Sequence, residues 1–266
     1  MTKRTIFLLI SSLGAIINVY IHVFTQTKFL SVGFTGLLLL FIFFAVLKIK
    51  RLFTARKIAD KLVIYTLYIT AASSFLFAFP TLGIIASVTH IILSWTVSYI
   101  LLLTINIYIV SEGKSDAIPL LQPAKLFLAV IYIYTIFLAT TQIYKINIDS
   151  YSVEVNLIIQ AVLFIFLFCT IIYYSNWFLN QGRVGEIANF SLLKSAKIYS
   201  LVGMSQFALV IMLFPFEPFG RGILVSAFFY LVINIVQSCL AHKYSLRVLM
   251  ASIAAFIVTY LLVIFL

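Results

Sequence analysis

The sequence predicts an all-α polytopic membrane bundle of about nine spans, a single integral membrane domain over residues 1–266 with its N-terminus inside. Three observations carry that prediction. First, 64% of the residues are hydrophobic and only 9% charged, where soluble domains average about 25% charged. The mean hydropathy is +1.19. A soluble globular domain, a disordered chain, a collagen and a disulfide scaffold are all excluded by these values. Second, the apolar residues fall in continuous runs of the length that a ~30 Å hydrocarbon core requires, about 20 helical residues. Third, the formal charges fall between those runs.

The runs are 5–24, 29–47, 62–80, 84–110, 126–144, 156–178, 198–215, 222–241 and 248–266. They are continuous rather than alternating, so helices are expected and barrel strands are not. A helix satisfies its own backbone in lipid. The first run follows Met1-Thr2-Lys3-Arg4, the charge pattern of a signal peptide. No A-x-A cleavage site accompanies it, and it reads as an uncleaved span. The 84–110 run is long enough to tilt or to emerge at the interface. Spans 1–110 and 126–241 form a candidate pseudo-repeat, suggested by the similar hairpins Phe77–Gly83 and Phe214–Gly220.

Basic residues set the orientation. With the N-terminus inside, fifteen of the eighteen fall on the inner side, and only Lys28, Lys145 and Arg221 fall outside. Counting from Lys114 onward gives the same sense. The net charge of +11 is thus explained by topology, and no nucleic-acid partner is expected. The inner loop 48–61 concentrates the charge. Lys48, Lys50, Arg51, Arg56 and Lys57 are expected on anionic lipid headgroups, each contributing about 1 kcal/mol. A cytosolic or membrane partner subunit is the alternative there. The loop 179–197 also reads as interfacial. Trp177, Tyr173 and Tyr174 mark an inner aromatic belt, and Tyr20 and Tyr144 an outer one.

No Asp, Glu, Lys or Arg lies within a run. Intramembrane charges mark ion paths and cofactor sites, so a carboxylate-based proton antiporter and a retinal protein are disfavoured. No HExxH, GxSxG or P-loop pattern occurs. Cys169 and Cys239 lie in apolar runs without a CxxC pair, so they read as free buried thiols. No metal or cofactor is predicted.

Uncharged polar residues are uneven. Asn18, His22, Ser73, Ser74, Thr89 and His90 gather in outer halves, followed by Ser94, Trp95, Thr96 and Ser98. Thr140, Thr141, Gln142, Asn156, Gln160, Gln206, Asn234 and Gln237 complete the set. One reading makes them hydrogen-bonding glue between helices, about 0.6 kcal/mol each. The other makes the outer set a polar vestibule, with His22, His90, Gln160, Gln206, Glu217 and Arg221 as its solute-binding residues. The turn Phe214–Gly222, broken by Pro215 and Pro218, serves as an aromatic-anchored hairpin on the first reading and as a gate on the second. The leading expectation for function is a permease-like protein of a bacterial-type plasma membrane, handling a neutral or weakly polar solute. A structural or assembly subunit of a membrane complex and an enzyme of lipid-linked substrates are the alternatives.

Overall fold

A computed structural model of the chain describes residues 3–24, 55–79, 83–111, 121–146, 152–174, 190–240 and 246–265. Among these there are eight α-helices and no strand: α1 (Lys3–Phe24), α2 (Ala55–Ala78), α3 (Ile84–Ser111), α4 (Leu121–Lys145), α5 (Val153–Tyr174), α6 (Phe190–Met212), α7 (Pro218–Leu240) and α8 (Leu246–Phe265). Five of them, α3 to α7, are long and apolar enough to cross a membrane. Helices α1, α2 and α8 carry shorter apolar stretches, Phe7–Ile16, Val63–Leu76 and Leu249–Phe265. The molecule is a helical membrane protein. The predicted run 29–47 lies outside the described residues.

The helices match the other eight runs, and all but α3, which opens with its run at Ile84, start earlier. The runs open at 126, 198 and 222, each one residue after a charge; the helices open at Leu121, Phe190 and Pro218. Hydropathy locates hydrocarbon, whereas backbone hydrogen bonding continues through the headgroup layer. Lys125, Lys197 and Arg221 thus sit on helical turns instead of in loops, where long side chains reach back to water. Among the described residues no Asp, Glu, Lys or Arg side chain is buried.

Local chemistry sets the ends. Pro218 occupies the first helical position of α7, where its missing N–H costs nothing, and the Arg221 amide donates to the Glu217 carbonyl at 3.0 Å. Helix α6 tightens at its end, with the Leu213 and Phe214 amides bonding Val210 and Ile211 carbonyls, and Pro215 stops it. Ser152 caps α5. Its carbonyl accepts the Asn156 amide at 3.1 Å, and its hydroxyl donates to the Glu154 carboxylate at 3.0 Å.

Contacts divide the chain into two compact units, Met1–Thr135 and Ile136–Leu266, with the division inside α4. In the first, α1, α2 and α3 pack on one another. Buried Ile64, Tyr65, Tyr68, Leu76, Leu101 and Tyr108 form its core. In the second, α5 packs on α6, α6 on α7 and α7 on α8. The last ten residues of α4 join α7 closely: Phe137 meets Phe219 edge-on at 5.0 Å. A Cβ on Gly222 would collide with the Thr141 side chain.

Candidate functional site

Most hydroxyls in the spans are spent within their own helix. Thr70, Ser73, Ser74, Thr89, Thr96, Thr135, Thr140 and Thr141 each donate to the carbonyl four residues earlier. Gln142 does the same through its amide, to Leu138 at 2.9 Å. A hydroxyl bonded in this way can lie in hydrocarbon without a further partner. These residues therefore say little about a solute.

A second set crosses between helices in the first unit. Ser11 donates to the Phe7 carbonyl at 2.9 Å, and Ser98 donates to Ser11 at 3.4 Å. The Tyr65 hydroxyl lies 3.0 Å from Ser98 Oγ. Each hydroxyl has one proton, and Ser98 has given its proton to Ser11, so Tyr65 is the donor to Ser98. The row runs Tyr65, Ser98, Ser11, Phe7 carbonyl, and it ties α2 to α3 to α1. Beside it Trp95 Nε1 donates to Ser12 Oγ at 3.3 Å, and the Tyr68 hydroxyl donates to the Ser94 carbonyl at 3.2 Å.

His90 is part of this seam. It is buried, with its ring stacked on Phe75 at 4.9 Å. Its Nε2 stands 2.9 Å from the Ala72 carbonyl and 3.4 Å from Ser94 Oγ. A carbonyl only accepts, so Nε2 carries the proton and donates to Ala72. The imidazole fastens α3 to α2.

In the second unit Gln160 is buried, and its Nε2 donates to the Ile146 carbonyl at 2.7 Å. That carbonyl lies just past the end of α4, where the helix leaves acceptors without partners. Arg221 Nη2 donates to the Phe214 carbonyl at 3.0 Å, and the guanidinium lies over the Tyr144 ring at 5.6 Å. Its Nε is enclosed without a partner among the described residues. Glu217 is exposed and makes no ion pair with Arg221, four residues on. The hydroxyl of Tyr144 donates to the Ala208 carbonyl of α6 at 2.8 Å, and its ring meets Phe164 at 4.7 Å. Arg221, Tyr144 and Phe164 thus form one continuous cluster, and Gln160 lies one turn before Phe164 on α5.

Gln206 differs from all of these. It lies on the exposed face of α6, and its amide has no hydrogen-bond partner among the described residues. A small cleft between α5, α6 and α7, lined by Ile172, Lys197, Ser200, Phe229 and Val236, encloses about 20 Å³, room for a single water. Lys197 lies 5.9 Å from the Tyr173 ring.

Of the six expected binding residues, the structure sets Arg221 over Tyr144, ties Gln160 to the Ile146 carbonyl, keeps Glu217 on the same turn as Arg221, and engages His90 between helices. His22 lies in the last turn of α1, and its side chain is outside the described residues. Lys48, Lys50 and Arg51 are outside them too. Arg56 and Lys57 fall in the first turn of α2, with their side chains likewise outside. Two sequence expectations are corrected. Tyr144, placed in the outer aromatic belt, is buried, because its hydroxyl finds a backbone carbonyl and not a headgroup. Cys169, expected to be buried, is exposed, because an apolar thiol is as suited to a lipid-facing position as to a core one. Sequence reasoning missed Tyr65 and Tyr68 as fasteners. The signal for the face they meet was present: His90, Ser94 and Ser98 recur every four residues, one stripe of α3.

No known family matches the chain, and comparison with curated proteins and with solved structures likewise finds no match.

Proposed function

We propose that the chain is a non-enzymatic multi-pass membrane protein that works as a structural or assembly subunit, with nine spans, its N-terminus inside, and the 48–61 loop on anionic headgroups. The observation that carries this reading is the hydroxyl seam of α1, α2 and α3. The side chains best suited to meet a solute there, His90 included, are already engaged between helices. Such bonds fix how helices pack, and each adds about 0.6 kcal/mol. The test is the size of the particle released from native membranes in mild detergent. A particle that holds other proteins beside the 30.1 kDa chain is expected; a particle made of this chain alone, monomer or not, overturns the reading.

A second reading, a permease-like protein for a neutral or weakly polar solute, is favoured by one observation. The Gln206 amide stands open on an otherwise apolar stretch. Proteoliposome uptake of small neutral solutes that falls on Gln206→Ala or His90→Ala supports it over the first.

A further inference from the structure

The exposed face of α6 runs through Ser195, Tyr199, Val202, Gln206 and Val210. At 100° per residue these lie within about 40° of the direction of Gln206, and at 1.5 Å per residue they extend for about 22 Å. The opposite face, Met204, Ala208 and Ile211, is buried against the unit. Exposed apolar side chains are what lipid contact asks of a helix. An exposed carboxamide is not. Gln206 lies near the middle of the predicted run 198–215, and an amide in hydrocarbon without a partner costs several kcal/mol.

We propose that this face of α6 pairs with the same face of a second copy of the chain, with Gln206 bonded to Gln206 across a two-fold axis along the membrane normal. Three features select that occupant. Two copies inserted in the same sense place residue 206 opposite itself at identical depth, with no further matching required. A carboxamide both donates and accepts, so two of them close a reciprocal pair of hydrogen bonds. Gly203, one turn before, has nothing within 4 Å of where a Cβ would stand, so the backbones can approach closely there. A water-filled path fits less well. Tyr199, Val202 and Val210 flank the amide with apolar surface, and a path needs polar groups along its length.

The pairing stands apart from the assembly reading, which concerns unlike subunits. A native particle holding other subunits and one copy of this chain leaves the assembly reading standing and overturns the pairing. A particle of two copies alone does the reverse. The direct test is energy transfer between differently labelled full-length chains in liposomes, followed as protein is diluted into lipid. Association is expected for the native chain, retained in Gln206→Asn and weakened about 5-fold in Gln206→Leu. In a Cys169→Ser, Cys239→Ser background, Gln206→Cys is expected to cross-link on oxidation, and Ala208→Cys, on the buried face, is not. Equal association of native and Gln206→Leu chains overturns the proposal. So does a chain that stays monomeric at every dilution. Solute uptake lost in Gln206→Leu with association unchanged overturns it in favour of a solute path.

Discussion

Helices α1, α2 and α3 are joined by a row of hydroxyls; the end of α4 and helices α5, α6 and α7 combine close packing with single hydrogen bonds to backbone carbonyls. In the first region, Tyr65, Ser98 and Ser11 join three helices through successive hydrogen bonds, and His90 adds a fourth contact to a carbonyl. In the second, Gly222 leaves no room for a side chain against Thr141, Phe207 stacks on Phe228 at 4.1 Å, and Tyr144 reaches across to Ala208. Lipid tails are as apolar as leucine, so oil–water partition cannot press helices together. Close packing and interhelical hydrogen bonds are the two means left, and this chain weights them differently in the two places.

The two means respond differently to substitution, and this can be measured by unfolding in mild detergent. The largest effect is expected at Gly222. Gly222→Val drives a branched side chain into Thr141 and the Phe137 carbonyl region, and a loss of about 3 kcal/mol is expected. The same change at Gly203, where the space within the chain is open, is expected to leave the stability of the single chain within about 0.5 kcal/mol, since valine is no worse a helix former than glycine. Equal losses at both positions would show that glycine contributes backbone freedom and not proximity.

Next comes the hydroxyl row. Ser98→Val removes the acceptor of Tyr65 and the donor to Ser11 together, and about 1–2 kcal/mol is expected. In the double variant with Tyr65→Phe the loss is expected to be smaller than the sum of the singles, because the buried phenol no longer lacks a partner. Strict additivity would mean that the row is not connected. The smallest effect is expected at His90. The Ala72 carbonyl is also held within α2, so His90→Phe is expected to cost about 0.6 kcal/mol. A loss several times larger would give the imidazole a role beyond fastening.

The sequence made the helices legible because hydrocarbon imposes one length and forbids free backbone groups. The start of α7 was less so: the run opens at 222, four residues after Pro218. The partners were less legible. Gln160 and Gln206 look alike in the sequence, each a glutamine in a mainly apolar run, yet one closes the end of α4 and the other faces outward. Rotation about a helix axis decides between those fates, and the runs around both residues are apolar on every side, so hydropathy carries no phase. Tyr144 was misread for the same reason: a tyrosine at a helix end suits a headgroup and a neighbouring carbonyl equally well.

The hydroxyl row has a fixed sense. Tyr65 gives to Ser98, Ser98 to Ser11, and Ser11 to a peptide carbonyl that can pass nothing on. A Grotthuss conductor needs an exit as well as an entrance, and a row that terminates on an amide oxygen has none. The seam is therefore a line of aligned dipoles with a closed end: among the described residues, this row offers a proton no exit past the Phe7 carbonyl.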